Sequence, residues 1–300
     1  MTELSHKILA EHQIRKTFQQ KTAFIQLLKQ HFPELSVQES SFLKCRNLII
    51  GDVESADVIL SAHYDTCANL PFPNFIAPKN PVLSVLYCLL PYFAIIFPVN
   101  LLLNLYTNRA ILHWIISIIL SFVIGFLIIA GPANKCNTND NTSGVIVLCE
   151  LLNILSKLTK QKVAFVFFDL EELRLVGSRL FLKKYKDQLD DKLLINFDSV
   201  SDGSHLMICA NKSARENYSK KLKTAFLPTE ELSILFTSAE KTIFPSDQKG
   251  FPCSVVIATL KHKWYLGYYL DRIHTKKDTV FISENIRHIC NCILCFLRQR

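Results

Sequence analysis

Val163-Ala-Phe-Val-Phe-Phe168 runs without a break into Asp169-Leu-Glu171-Glu172: six apolar residues followed at once by three carboxylates. An uninterrupted apolar run of this length, rich in aromatic and β-branched side chains, reads as a strand buried on both faces. Asp57-Val-Ile-Leu-Ser-Ala62 is a second such run and leads directly into His63-Tyr-Asp65. Leu193-Leu-Ile-Asn-Phe197 is a third and ends at Asp198, while Asn47–Ile50, His205–Ala210 and Ser254–Thr259 are further strand runs. Between them, 143–158 and 176–185 show helical spacing, and 283–297 closes the chain as a helix. Strands alternating with helices predict a mixed, mainly parallel α/β sheet flanked by helices on both faces. Toward the N-terminus, Leu4, Ile8, Ile14, Phe18, Ile25 and Leu28 recur at roughly helical spacing and predict one amphipathic helix ending near Phe32-Pro33.

The 300 residues suffice for a full hydrophobic core. With 49% hydrophobic and 20% charged residues and a mean hydropathy of +0.21, the chain is too apolar for a disordered one. The excess is local. From Asn80 to Gly131 the only formally charged side chain is Arg109. Residues 81–105 and 111–131 each reach across a hydrocarbon core of roughly 30 Å at about 1.5 Å per residue. They predict a transmembrane hairpin, in contact with lipid, inserted as 80–131 into a single catalytic α/β domain of 1–79 and 132–300. The alternative is a pair of buried core helices. Pro91 and Pro98 should kink the first segment.

A net charge of +8 raises the question of nucleic acid. The lysines are spread along the chain, with no basic stripe and no aromatic-basic interleaving, so no nucleic-acid partner is expected. The ten cysteines show no framework spacing, and Met1–Gln30 does not read as a cleavable signal. Cys290-Asn-Cys292-Ile-Leu-Cys295 reads as small core residues of a helix. Free thiols favour a reducing compartment. With Lys79 and Lys135 flanking the hairpin, the catalytic domain is expected on the cytoplasmic side of a membrane that the two helices cross. The oligomeric state is left open.

Ligands of open α/β sheets collect outside the carboxyl ends of the strands, and three strand ends here carry His63, Glu171-Glu172 and Asp198. To these the sequence adds Asn139-Asp140-Asn141-Thr-Ser143-Gly144, which opens a helix, and His274-Thr275-Lys-Lys-Asp278-Thr279 near the C-terminus. Singly, each has an ordinary reading: Asp140 as a helix cap, Glu171 and Glu172 as solvated carboxylates, His274 as a surface histidine. Together they make a metal-ligand constellation of mixed imidazole and carboxylate.

In order and identity these motifs resemble the M28 family of zinc-dependent peptidases, over about Val58–Ala68 and Asn134–Asp278. The resemblance implies two zinc ions bridged by Asp140, one site completed by His63 and Asp198 and the other by Glu172 and His274. It implies that Asp65 orients the His63 imidazole without touching metal, and that Glu171 is the general base toward a metal-bridged hydroxide. The activity so implied is peptide-bond hydrolysis by a membrane-anchored exopeptidase, foremost an aminopeptidase. The alternatives are a glutaminyl-cyclase-like zinc acyltransferase and a non-catalytic peptidase-like binding protein. Two features depart from the family: the long insert between Asp65 and Asp140, and Ser246-Asp247-Gln248 where many members carry Ser-Asp-His. The departure puts one substrate contact in doubt.

Overall fold

In the computed structural model, which describes residues 1–70, 72, 74–107, 109–155 and 162–299, the opening apolar run is strand β4 (Val163–Phe168). It lies between β2 (Arg46–Ile50), to which it is antiparallel, and β3 (Val58–His63), to which it is parallel. The sheet continues through β5 (Leu193–Phe197), β8 (Ser254–Lys263), β6 (His205–Ala210) and β7 (Ser233–Ser238), with β1 (Ser36–Glu39) at the other edge. The inner pairs β4–β3, β3–β5 and β5–β8 are all parallel, so the carboxyl ends of β3, β4 and β5 open on one side. A short strand β9 (Gly267–Tyr269) pairs with the end of β8. The sheet is thus mixed α/β and mainly parallel at its centre.

Alternation builds the two faces. Leu60, Ala62, Phe165 and Phe167 point into one core, while Ile59, Ala164, Val166 and Phe168 point into the other. The first core is closed by α1 (Glu3–Glu11), α2 (Phe18–His31), α5 (Gly144–Ile154), α7 (Lys212–Ala225) and α8 (Ser283–Arg298). The second is covered by α6 (Val176–Tyr185), whose Phe181 meets Phe168 edge-on. Each fully buried phenylalanine of β4 contributes about 1.5–3 kcal/mol of burial free energy, so the stretch that defines the sheet also anchors it.

The N-terminal segment is two helices, not one. Thr17 starts α2 with a capping box, its hydroxyl accepting from the Gln20 backbone and Gln20 returning to the cap. Arg15, in the break, is fully buried: its guanidinium donates to the carbonyls of Tyr64 and His12 and to the Thr142 hydroxyl. Those bonds need Arg15 in an extended link, and they outweigh helix continuity. The expected helix over 143–158 is α5, Gly144–Ile154, and residues 156–158 lie outside the described ones.

The apolar insert folds as α3 (Pro81–Tyr106) and α4 (Ala110–Ala130). The alternative of buried core helices fails for α4, since only 6% of its apolar window is buried and Phe122 is 76% exposed. Among the described residues α4 alone is long and apolar enough to cross a membrane, and α3 contributes the shorter apolar stretch Phe93–Tyr106. The two helices touch, and the Asn100 amide donates to the Ser117 hydroxyl at 2.7 Å.

Candidate metal centre

His63 is the last residue of β3, and its imidazole is 1% exposed. Its Nδ1 lies 3.2 Å from the Asp65 carbonyl and 3.6 Å from the Asp65 carboxylate, which leaves Nε2 facing the cleft. The shorter of these contacts is to the carbonyl. The Asp65 carboxylate makes its hydrogen bonds elsewhere, accepting from the backbone N–H of Glu171 at 3.0 Å and of Glu172 at 3.3 Å. One side chain therefore fixes the turn that follows β4 and lies beside the imidazole at the end of β3.

Asp140 stands in an irregular turn, Thr138–Ser143, that leads into α5. Its two oxygens face different histidines: Oδ1 is 3.2 Å from His63 Nε2, and Oδ2 is 2.9 Å from His274 Nε2. The turn is pinned from three sides. Asp278 accepts from the backbone N–H groups of Asn139 and Asp140 at 2.8 and 3.0 Å. Asn139 Oδ1 accepts from Ser201 and Asp202, and Asn141 donates to the Phe197 carbonyl. Gly144 is demanded by this packing, since a Cβ there would lie 2.5 Å from both Asn141 Oδ1 and the Phe197 carbonyl. The Ser-Gly after Asp140-Asn141 is thus a close-approach signal as well as a helix start.

His274 Nε2 also lies 3.4 Å from Glu172 Oε2, and His63 Nε2 lies 4.0 Å from Asp198 Oδ1. The structure therefore brings His63, Asp140, Glu172, Asp198 and His274 together, with Glu171 close enough for its carboxylate to group with His63 and Glu172. Asp169 does not join them. It turns away to pair with the buried Lys21 and to accept from the Arg46 backbone, tying α2 to the sheet.

The electrostatics are those of a carboxylate cluster short of cations. Burial pushes Glu171 well above the usual carboxylate range, and the charges of Glu172, Asp247 and Asp198 add to it against the pull of His63. Burial likewise lifts Glu172 to about 7, with Asp140 adding and His274 opposing. Burial works to lower His274, yet Glu172 and Asp140 outweigh it and hold the imidazole at about 9. For His63 the same contest, with Glu171 the largest opposing charge, leaves the ring well above its ordinary value. Asp140 is held low despite its burial, because both histidines hydrogen-bond to it. Burial raises the Cys67 thiol, with Glu172, Asp140 and Asp278 adding.

Sequence reasoning gave no role to three residues beside these: Asp278, Cys67 and the fully buried Asp247, whose carboxyl burial pushes up to about 7. Asp278 stood inside a quoted motif, but its hydrogen bonds to a turn 138 residues away have no local signature.

Whether these residues suit a metal can be judged from their own geometry. Two ligands about 2.0–2.1 Å from a tetrahedral zinc are separated by about 3.4 Å, and the His–carboxylate distances here run from 2.9 to 4.0 Å. Glu172 Oε1 is buried with no hydrogen-bond partner, the condition of an oxygen awaiting a cation. The donor set, imidazole and carboxylate, is that of zinc.

Such a donor set at the carboxyl edge of a mainly parallel sheet marks the chain as a zinc-dependent peptidase. It belongs to peptidase family M28, whose family model matches residues 130–294. That span holds Asp140, Glu171, Glu172, Asp198 and His274, while His63 and Asp65 lie before it. No curated protein matches the sequence significantly. Among solved structures, the LapA aminopeptidase of Legionella pneumophila superposes with a TM-score of 0.58 at 13% identity, covering 98% of this chain and 67% of its own. LapB of the same organism does so at 0.54 and 12% identity, covering 98% and 69%. At these identities the likeness is one of fold.

Proposed function

We propose that the protein is a membrane-anchored di-zinc aminopeptidase. The observation that carries the two-ion reading is Asp140, each of whose oxygens faces a different histidine, as a bridging carboxylate would. His63, Asp140 and Asp198 would hold one ion, and Asp140, Glu172 and His274 the other. Zinc, when bound, supplies Lewis acidity that acidifies water and polarises the scissile carbonyl.

The protein's own groups do the rest. Glu171 sits on the turn fixed by Asp65, and its carboxylate groups with His63 and Glu172 beside the site. It takes the proton of the attacking water at a carboxylate oxygen and passes it to the leaving nitrogen. Burial raises the proton affinity of Glu171, the direction that suits a group which must hold a proton and then give it up. Asp65 and Asp278 are positioning residues, holding the Glu171-Glu172 turn and the Asp140 turn by backbone hydrogen bonds. The carboxylates of Glu171 and Asp247, which neither ion takes up, suit a substrate that presents an ammonium rather than a terminal carboxylate.

The test is hydrolysis of matched peptides with free or acetylated N-termini by zinc-loaded, detergent-solubilised protein. Cleavage confined to the free-amine set is expected. Equal cleavage of both sets would replace the aminopeptidase reading with a broader peptidase. Cleavage of neither, with one zinc per chain, would favour the cyclase-like alternative.

The membrane part of the proposal rests on α3 and α4 as an insertion over 80–131. Phe93, Phe97, Trp114, Phe122 and Phe126 stand exposed along them, and the Asn100–Ser117 hydrogen bond is the kind of polar contact that joins helices in lipid. Lys79 and Lys135 flank the insert on the catalytic side, a charge bias that supports a cytoplasmic catalytic domain. In a membrane preparation washed with alkaline carbonate, the intact chain should stay in the pellet. A chain with 80–131 replaced by a short loop should move to the supernatant. Release of the intact chain would show that the hairpin does not span.

A further inference from the structure

Besides the grouping of Glu171 with His63 and Glu172, the cleft gathers two sets of metal-binding side chains, joined by Asp140 through its contacts to His63 and His274. His63, Asp140 and Asp198 form one, all buried. The other is Glu172 with His274, and a third side chain belongs to it by position: Cys67, whose Sγ lies within 4.8 Å of both ligand atoms of that pair. We propose, building on the zinc reading above, that Cys67 is a protein ligand of the ion held by Glu172 and His274, making that half of the centre a carboxylate–imidazole–thiolate site.

Cys67 is 3% exposed and comes two residues after Asp65, itself two after His63, on the segment that leaves β3. Its place is fixed by the base of the hairpin. The Cys67 carbonyl accepts from the Asn134 backbone, and Ala68 bridges Ala133. His274 is fastened to the same base: its carbonyl accepts from the Leu70 backbone at 3.0 Å, and the Asn134 amide donates to the Thr275 carbonyl at 3.1 Å. Sulfur and imidazole are thus carried by irregular segments that brace one another. Apart from the cleft, the thiol's contact is long and weak, 3.6 Å to Asn137 Oδ1.

Two observations point from this cluster to an ion. Glu172 Oε1, in the same set, is buried with no hydrogen-bond partner, so its second lone-pair face is free for a cation. His274 Nε2 and Glu172 Oε2 are already 3.4 Å apart, the separation of two ligands on one tetrahedral zinc. On the same tetrahedral ion a sulfur at about 2.3 Å lies about 3.6 Å from an imidazole nitrogen, so from its place within 4.8 Å of the pair the Cys67 sulfur closes the set by a shift of at most about 1.2 Å toward the imidazole. Thiolate is the donor that separates borderline-soft zinc from harder divalent ions, so Cys67 would make this half of the centre selective. On binding, the thiol proton leaves to solvent as the metal–sulfur bond forms.

The experiment is cobalt(II) titration of the metal-free full chain and of Cys67→Ser, followed by absorbance. The wild type should show a thiolate-to-cobalt charge-transfer band in the near ultraviolet that grows with one of the two equivalents and is missing from Cys67→Ser. Competition should show zinc bound at least tenfold more weakly at that equivalent in the variant. Visible ligand-field bands for two equivalents with no charge-transfer band in the wild type would overturn the assignment of Cys67 while leaving the zinc centre intact. No cobalt bound by the folded wild type would instead overturn the metal centre itself. A measurement independent of any variant is X-ray absorption of the zinc-loaded wild type, where a sulfur shell at about 2.3 Å is expected. A shell of nitrogen and oxygen alone refutes the proposal.

Discussion

Glu171→Gln should lower kcat by about 10²–10⁴ while zinc stays bound. The substitution keeps the size and the hydrogen-bonding outline of the side chain and removes only the ability to carry a proton. The five candidate ligands do not depend on it: His63, Asp140, Glu172, Asp198 and His274 approach one another through their own contacts. The turn is also indifferent, because Asp65 holds it through the backbone N–H groups of residues 171 and 172. Steady-state kinetics with metal content measured on the same sample checks this. KM should change little, since proton transfer is confined to the transition state. Loss of zinc along with activity would make Glu171 a ligand. Activity within tenfold of wild type would mean that another group accepts the proton.

What made the site legible was its place in the fold. His63, Glu172 and Asp198 each follow an apolar run, and the end of a buried strand is marked in sequence by the abrupt change from apolar to polar. Asp140 and His274 lack such a run and were found through the company they keep. Cys67 and Asp278 were not found, because what singles them out is contact with Glu172, His274 and Asp140, residues far away along the chain. The same divide holds for the fold. The core strands β3, β4 and β5 were read to within a residue of their ends. Strands β1, β7 and β9 were missed: β1 and β7 are edge strands, partly exposed on both sides, so they carry no unbroken apolar run, and β9 is only three residues. Helix α7 was missed because its face toward the sheet is narrow, with only Ala214, Leu222 and Ala225 buried. The single N-terminal helix of the sequence became two because Arg15 serves Tyr64 and Thr142, partners that spacing cannot reveal.

Asp140→Asn is expected to be the more damaging change to the metal centre. Among the described residues Asp140 is the carboxylate in ion-pair contact with both histidines, so replacing one carboxylate oxygen by an amide nitrogen removes a donor from one ion and a negative charge from both. The amide hydrogens would point at His274 or His63, where a cation should sit. An outer-sphere partner is typically worth 10–100-fold in metal affinity, which sets a floor for a shared ligand. The weaker ion should therefore be lost by at least about 100-fold, leaving one zinc or none per chain, with hydrolysis falling at least as far as in Glu171→Gln. The fold should survive, because the turn is held by Asp278, Asn139 and Asn141 rather than by the Asp140 carboxylate. Metal content by mass spectrometry and far-ultraviolet circular dichroism of the same preparation separate these effects. Two zinc ions retained in folded Asp140→Asn would refute the bridge. A single zinc already in the wild type, unaffected in number by the variant, would mean that His63 and His274 serve one ion between them.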